Sequence, residues 1–173
     1  MSPFEELEED GADADSLEGL SKGHRAEIEE ADWRRVLDVN LTGVFHCAQQ
    51  AARRMAADDG GVILMTASTN GLTGHEYYAA YNASKAGVIL LARTMALELA
   101  PKVRVNAVCP GYVLTPMQKA EYTPEMLERV NAAIPLGRHA KPEELAALYA
   151  FLASEEGAYF TGAVISMDGG ETA

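Results

Sequence analysis

The sequence has no long apolar segment, few cysteines and no excess of basic residues. A membrane-spanning helix needs about 20 consecutive apolar residues, and no run in this chain approaches that length. The N-terminus, MSPFEELEEDG, is acidic where a secretion signal would be basic. We therefore expect a cytoplasmic protein that does not enter a membrane. The formal net charge of −12 also disfavours nucleic acid as a partner.

Cysteine is scarce. Cys47 and Cys109 are the two in the chain, and both lie in apolar segments without a second pair of metal-type ligands nearby. We interpret them as reduced core residues and expect no metal site. A disulfide or a metal site is the alternative.

Acidic residues are concentrated at one end. Residues 1–32 hold twelve Asp and Glu against Lys22 and Arg25, whereas residues 33–173 hold fourteen acidic and twelve basic residues. A block of like charge with few large apolar residues is usually solvated or flexible. The pattern predicts an acidic leader or extended loop over residues 1–32 and a globular body over residues 33–173. At this length the body is large enough for one domain with a core.

The spacing of apolar residues predicts helices and strands in alternation. The predicted helices cover residues 33–57, 81–100 and 124–133, and a last one begins at Pro142. The first carries a stripe of small and apolar residues that includes one amide, Asn40 (Val36, Asn40, Gly43, Cys47 and Ala51). Short unbroken apolar runs, typical of strands covered on both faces, occur at residues 62–66, 103–108 and 163–167. Alternation of this kind predicts an open α/β sheet with parallel strands and right-handed crossovers.

Ligands bind such sheets at the carboxyl ends of the strands, where this chain carries polar groups. Ser68 follows the first strand, and Tyr81 and Lys85 open the next helix in the stretch YNASK. At positions i and i+4, Tyr81 and Lys85 share one helix face. A nearby ammonium favours the phenolate and lowers the tyrosine pKa from about 10. The pair is therefore a candidate acid/base group, with Ser68 as a hydrogen-bond donor to a substrate oxygen.

Other interpretations of these residues are open. Tyr81 and Lys85, taken alone, are typical of the exposed start of a helix. Ser68 alone is typical of a loop hydroxyl, and Asn40 alone of a hydrogen-bonded polar group inside a helix. A serine hydrolase would pair Ser68 with His75 or His139. The sequence around Ser68 has no Gly-x-Ser-x-Gly elbow, which disfavours that interpretation.

The order of these features resembles the short-chain dehydrogenase/reductase family from Trp33 to Ala173. The resemblance rests on the stretches DVNLTGVF, VILMTASTNGLTG, YNASKAGV, RVNAVCPGYVLTP, PLGRHAKPEELAALYAFLAS and TGAVISMDGG. It implies an α/β fold with a doubly wound, Rossmann-like parallel sheet. It also implies an oxidoreductase that interconverts an alcohol and a carbonyl with NAD or NADP, as a homodimer or homotetramer.

The resemblance implies a role for each residue of a catalytic set. Tyr81 would transfer the proton of the substrate oxygen and Ser68 would steady that oxygen. Lys85 would bind the nicotinamide ribose and tune Tyr81, and Asn40 would hold open a helix carbonyl that anchors a water. The cofactor would also meet residues after the second strand: Pro110 and Gly111 near the nicotinamide, Val113 and Thr115 at its carboxamide.

The pocket residues suggest a substrate class but do not identify the substrate. Asn70, His75 and Tyr112 are expected to line the pocket, with Glu76, Tyr78 and residues 114–135 at its border. Their polarity favours a hydroxylated small molecule such as a sugar or polyol, and a lipid-like substrate is the alternative.

The family's Gly-x-x-x-Gly-x-Gly pyrophosphate motif does not occur in the sequence. The nearest stretch, GLSKGHR at residues 19–25, has Arg25 in place of the last glycine. We expect that the chain corresponds to the family's C-terminal part, with the N-terminal half of the sheet missing. The first strand would then expose a hydrophobic edge. A catalytically silent fragment that retains the family's association surface is the second interpretation.

Overall fold

The computed structural model describes residues 28–173. The helices are α1 (Glu30–Leu37), α2 (Gly43–Ala57), α3 (Ala79–Leu99), α4 (Pro116–Glu121), α5 (Pro124–Ala133) and α6 (Pro142–Ala153). The strands are β1 (Gly61–Thr66), β2 (Val103–Pro110) and β3 (Val164–Met167). A π-helical turn, Asp38–Thr42, joins α1 to α2, and short 3₁₀ turns occur at Thr69–Gly71 and Glu155–Gly157. Most of the leader predicted over residues 1–32 lies outside the described residues, and α1 begins at Glu30 rather than Trp33.

The three strands form one parallel sheet in the order β1-β2-β3. β1 pairs with β2 from Gly61 opposite Val103 to Thr66 opposite Val108. β2 then pairs with β3 from Ala107 to Pro110. This confirms the prediction of an α/β fold with a parallel sheet. Within residues 28–173, β1 pairs on one side only, with β2.

The core lies between the sheet and the helices α2 and α3. Val105 and Ala107 of β2 and Val88 of α3 are fully buried, and Ala92 is 1% exposed. Ala92 and Ala96 of α3 are buried in this core, and their small side chains let the helix approach the strands closely. Among residues 28–173, no helix combines the length and the apolar character needed to span a bilayer.

The π-helical turn changes which face of the first helix is buried. Val36 is fully buried, as the stripe predicted, but Cys47 is exposed, and the buried residues of α2 are Ala48 and Ala52. A π turn contains one extra residue, so each position after it moves one place along the stripe. The prediction that Cys47 is a core residue is therefore wrong. Cys109 is buried, and both cysteines are free thiols.

Proline and threonine set the starts of the later helices. Pro142 is at the first position of α6, as predicted, and the backbone N–H of Lys141 donates to Glu144 Oε2 at 2.8 Å. α5 spans Pro124–Ala133, as predicted, with Thr123 as its N-cap. α4 was not predicted; Thr115 caps it by accepting a hydrogen bond from the Gln118 N–H.

Candidate active site

The chain leaves all three strands at the same edge of the sheet. The Ala67 N–H donates to Val108 O at 2.8 Å, and the Gly111 N–H donates to Met167 O at 3.2 Å. Ser68, Gly111 and Asp168 therefore follow neighbouring strands, as expected from parallel pairing. This edge carries the candidate site.

Ser68 is 9% exposed and has an extended backbone just before the 3₁₀ turn. Its Oγ accepts a hydrogen bond from the Asn70 N–H at 3.2 Å. The turn packs tightly on α3: a Cβ built on Gly71 would lie 2.8 Å from the carbonyl carbon of Lys85. The missing side chain at Gly71 thus brings the Ser68 loop against the helix that carries Tyr81 and Lys85.

Tyr81 and Lys85 lie in the first turns of α3 and share a face, as predicted. Lys85 Nζ is 5.4 Å from the centroid of the Tyr81 ring, within cation–π range. The same ammonium donates to the carbonyl oxygen of Thr66, the last residue of β1, at 3.3 Å. Lys85 therefore connects the phenol to the strand end from which Ser68 emerges.

Asn40 is half-buried in the middle of the π-helical turn. Leu41 packs against α3 at Gly87, where an added Cβ would lie 2.8 Å from Leu41 Cδ2. The turn that carries Asn40 thus contacts the same helix as Tyr81 and Lys85. The structure brings Ser68, Tyr81 and Lys85 to one strand end, and it holds the Asn40 turn against α3 two residues after Lys85.

A hydrogen-bonded chain of side chains continues from Ser68 to α3. The Ser68 hydroxyl donates to Asn70 Oδ1 at 3.4 Å, and Asn70 Nδ2 donates to Asn82 Oδ1 at 3.0 Å. Asn82 Nδ2 donates to the carbonyl oxygen of His75 at 2.9 Å. The side chain of Asn70, predicted as a pocket residue, thus binds Ser68 and Asn82. Asn82 was not among the predicted site residues, although it lies inside YNASK.

Both histidines of the hydrolase interpretation have ring partners other than Ser68. His75 Nε2 is 3.1 Å from Thr73 Oγ1, and His139 Nδ1 is 2.7 Å from Asn131 Oδ1. Burial lowers the pKa of both histidines. The contacts of Ser68 and the two rings therefore give no support to a serine–histidine pair.

The loop after β2 carries the remaining predicted residues. Gly111 packs closely on the end of β3: an added Cβ would lie 2.9 Å from Asp168 Cβ and 2.5 Å from Glu171 Oε2. Val113 forms a bridge to Ala140, and the Thr115 side chain caps α4. Pro110 ends β2 opposite Met167. Pro110 and Gly111 thus lie at the strand ends beside Ser68, whereas Val113 and Thr115 follow farther along the loop.

Tyr112 lies in the same loop and packs edge-on against His139, with 5.6 Å between ring centroids. The ring of Tyr122 also packs edge-on against His139, with 6.4 Å between the ring centroids. His139 is 5% exposed. Tyr112 is half-buried and lines a small cavity beside Asp168 and Gly169, at the end of β3.

Two acidic residues after β3 have opposite electrostatic surroundings. Burial raises the pKa of Glu171, and the charge of Asp168 adds to the effect. Partial burial also opposes ionisation of Asp168, but hydrogen bonds from Thr172 and the Gly170 N–H outweigh it and lower its pKa. Glu171 Oε2 is buried without a hydrogen-bond partner. Glu171 was not among the predicted site residues, because nothing in the stretch DGGETA indicates burial.

The nucleophilic thiol nearest Ser68 is not activated. Cys109 is fully buried, and burial raises its pKa despite a hydrogen bond from the Ser68 backbone and the nearby charge of Lys85. Among residues 28–173, no cluster of three or more His, Cys, Asp or Glu side chains is arranged to hold a metal ion.

Comparison with known proteins extends the resemblance. The sequence profile of the enoyl-(acyl carrier protein) reductase family matches residues 15–172, so the match begins before Trp33, inside the acidic segment. A 3-oxoacyl-[acyl-carrier-protein] reductase of Thermotoga maritima is 46% identical over 145 residues, covering 83% of this chain and 58% of that protein.

Solved structures agree with the sequence matches. A short-chain type dehydrogenase/reductase from Mycobacterium marinum is 40% identical with a TM-score of 0.79, covering 87% of this chain and 60% of that one. A 4-hydroxyisoleucine dehydrogenase mutant complexed with NADH and succinate is 27% identical with a TM-score of 0.82, covering 87% of this chain and 63% of that one.

This chain therefore spans about three-fifths of the length of the proteins it matches, between 58% and 63%. Within that span the parallel sheet, the order of the motifs and the sequence identity all agree. The chain belongs to the short-chain dehydrogenase/reductase family of oxidoreductases.

Proposed function

We propose that this chain carries the catalytic residues of an NAD- or NADP-dependent oxidoreductase that interconverts an alcohol and a carbonyl, with Tyr81 as the acid/base. The observation that carries the proposal is the position of the Lys85 ammonium. It lies 5.4 Å from the Tyr81 ring centroid and 3.3 Å from Thr66 O, at the strand end next to Ser68. An ammonium there favours the phenolate over the neutral phenol.

The roles of the side chains follow from their chemistry. In carbonyl reduction, the Tyr81 hydroxyl gives its proton to the substrate oxygen, and in alcohol oxidation it takes that proton back. The Ser68 hydroxyl donates a hydrogen bond to the same oxygen. Positioned proton transfer of this kind contributes about 10²–10⁴-fold to a rate.

Asn40 is proposed to help replace the proton on Tyr81 through a bound water. In a π-helical turn, hydrogen bonds run from residue i to i+5 rather than i+4, which frees backbone carbonyls from their usual partners. Asn40 lies at the centre of such a turn, and the turn packs on α3 through Leu41 at Gly87, two residues after Lys85. This position supports the role that the family resemblance implies.

The donors near the strand ends fit the nicotinamide end of the cofactor. Lys85 offers an ammonium for ribose hydroxyls, and the loop at Val113 and Thr115 offers a backbone and a hydroxyl for a carboxamide. Pro110 and Gly111 offer a surface without a long side chain. When bound, the cofactor supplies or accepts the hydride. NAD and NADP share this nicotinamide end.

A hydroxylated small molecule such as a sugar or polyol is the proposed substrate class. His75 and Tyr112 are half-buried polar residues on loops next to the strand ends. The carrier-protein substrate named for the Thermotoga relative is the competing possibility, and a panel containing polyols and β-ketoacyl thioesters distinguishes the two.

The acid/base assignment is tested with Tyr81→Phe. Turnover is followed by the absorbance of reduced nicotinamide, in the natural protein with any sequence its gene places before Met1. We expect kcat to fall at least about 100-fold, with the circular dichroism spectrum unchanged. Tyr159→Phe is the matched control, because Tyr159 is fully exposed. Undiminished turnover of Tyr81→Phe contradicts the proposal.

A second candidate function is association through α3, with or without catalysis. Leu90 is 60% exposed and Leu97 is 85% exposed on this helix, which is unusual for large apolar side chains. We propose that this face forms the subunit contact of a homodimer or homotetramer. Light scattering of Leu90→Lys and Leu97→Lys tests the contact. A fluorescence titration with NADH or NADPH tests whether the chain is a catalytically silent fragment that acts through association alone. Tight binding of either nucleotide contradicts that function.

A further inference from the structure

The hydrogen-bonded chain from Ser68 to His75 has a direction, and its last member fixes that direction. A backbone carbonyl can only accept hydrogen bonds, so the group of Asn82 that lies 2.9 Å from His75 O must be the NH₂. The Oδ1 of Asn82 then faces Asn70 and can only accept. Asn70 must therefore present its NH₂ to Asn82, at 3.0 Å.

The same reasoning reaches the Ser68 hydroxyl. With its NH₂ used by Asn82, Asn70 turns its Oδ1 towards Ser68, so the hydroxyl must be the donor in that 3.4 Å contact. The backbone N–H of Asn70 donates to the Ser68 hydroxyl oxygen at 3.2 Å. The backbone N–H thus holds the Ser68 oxygen, and the amide oxygen sets the direction of the hydroxyl proton.

We propose that Asn82 is a positioning residue that acts through Asn70 to fix the direction of the Ser68 hydroxyl proton. The inference rests on the proposed function, in which Ser68 donates to the substrate oxygen. The contact with Asn70 Oδ1 is long, at 3.4 Å, and so is weak. A substrate oxygen can replace it at little cost while the shorter bond from the Asn70 N–H keeps Ser68 in place.

Asn82 also connects the two halves of the site. It follows Tyr81 directly in α3, so the acid/base residue and the anchor of the Ser68 network share one turn of helix. Loss of the Asn82 side chain leaves Asn70 free to rotate its amide. The Asn70 backbone N–H still holds the Ser68 oxygen, but the hydroxyl proton no longer has a fixed acceptor, and its productive orientation in the Michaelis complex becomes rarer.

The test is a double-mutant cycle with Asn82→Ala and Ser68→Ala, assayed as the natural protein with the polyol and β-ketoacyl thioester panel. In the wild-type background, we expect Asn82→Ala to lower kcat about tenfold with KM changed less than about twofold. In the Ser68→Ala background, the same substitution should change kcat less than about twofold, because its effect passes through Ser68.

Thr161→Val is the matched control. The substitution removes the 3.2 Å hydrogen bond that Thr161 Oγ1 accepts from the Val105 N–H. This bond lies near the beginning of β2, away from the carboxyl ends of the strands where the site is. If Asn82→Ala does not fold, Asn70→Ala replaces it in the same cycle. The backbone N–H to Ser68 Oγ then remains, and the amide acceptor is lost.

The outcomes separate the inference from the proposed function. If Asn82→Ala leaves kcat unchanged while Ser68→Ala lowers it, the inference is wrong and the proposed function stands. Equal losses in both backgrounds also overturn the inference, because Asn82 then acts by another route. If neither Ser68→Ala nor Tyr81→Phe lowers turnover, the proposed function fails and the inference falls with it.

Discussion

Gly71 and Lys85 are in backbone contact: a Cβ on Gly71 would lie 2.8 Å from the Lys85 carbonyl carbon and 2.9 Å from the Ala86 nitrogen. These are backbone atoms of a helix and cannot move aside as a flexible side chain can. The distance between the Ser68 loop and the helix that carries Tyr81 is therefore set by the absence of a side chain at position 71.

Gly71→Ala is expected to push the Ser68 loop away from α3. We expect a loss of about 1–3 kcal/mol in the free energy of unfolding, typical of overpacking, and a fall in kcat of about tenfold or more from the misplaced hydroxyl. Urea unfolding and steady-state kinetics measure the two effects. Gly74→Ala is the control, since a Cβ there has no atom within 4 Å. Equal behaviour of the two variants contradicts the prediction.

Gly111→Ala is expected to destabilise the opposite side of the site. The added Cβ would lie 3.0 Å from Asp168 Cα and 2.5 Å from Glu171 Oε2. The carboxylate can shift, but the backbone of Asp168 cannot shift without disturbing β3. We expect a loss of about 1–3 kcal/mol, partly recovered in the double variant with Glu171→Ala. An unchanged urea midpoint, or no recovery in the double variant, would count against this packing.

Asn106 is expected to be essential for the connection into β3. Its side chain is fully buried; Nδ2 donates to Phe160 O at 2.9 Å and Oδ1 accepts from the Ala163 N–H at 3.0 Å. Asn106→Leu leaves the Ala163 N–H without its partner, at about 1–3 kcal/mol, whereas Phe160 O keeps its hydrogen bond from Arg104 at 3.2 Å. Urea unfolding measures the loss, with Gln50→Leu as the control because Gln50 is exposed on α2. A loss below about 1 kcal/mol contradicts this account.

The strands and main helices were predictable because local chemistry determines them. Unbroken apolar runs marked β1, β2 and β3 to within a few residues, and proline marked the first residues of α5 and α6. Tyr81 and Lys85 were expected to share a face because the i, i+4 spacing of a helix is rigid. These features depend on neighbours in sequence, so no tertiary information was needed.

The features that were missed depend on contacts between distant segments. The stripe through Cys47 assumed a uniform helical period, and the π-helical turn moved the buried positions to Ala48 and Ala52. The orientation of the Asn70 and Asn82 amide groups depends on the position of the His75 carbonyl in the loop. No rule of sequence spacing predicts that position. Glu171 became buried because three strand ends meet around it.

The raised pKa of Glu171 gives a pH-dependent prediction about stability. Burial and the like charge of Asp168 raise it above the ordinary value of 4.5, against a hydrogen bond from Thr69. For a carboxyl group with a raised folded-state pKa, the contribution to stability is complete below the unfolded-state pKa. It is lost as the pH rises through the folded-state value.

Glu171→Gln should therefore gain stability relative to the wild type as the pH rises above about 4.5 and through the raised pKa of Glu171. Urea unfolding of both proteins across that range measures the difference. Glu125→Gln is the control of opposite sign, because hydrogen bonds from its own backbone and from Thr123 lower the pKa of Glu125. Its difference from the wild type should develop below about pH 4.5 instead, as the contribution of Glu125 is lost on acidification. Parallel curves for Glu171→Gln and the wild type would mean that the carboxyl group of Glu171 is not buried as described.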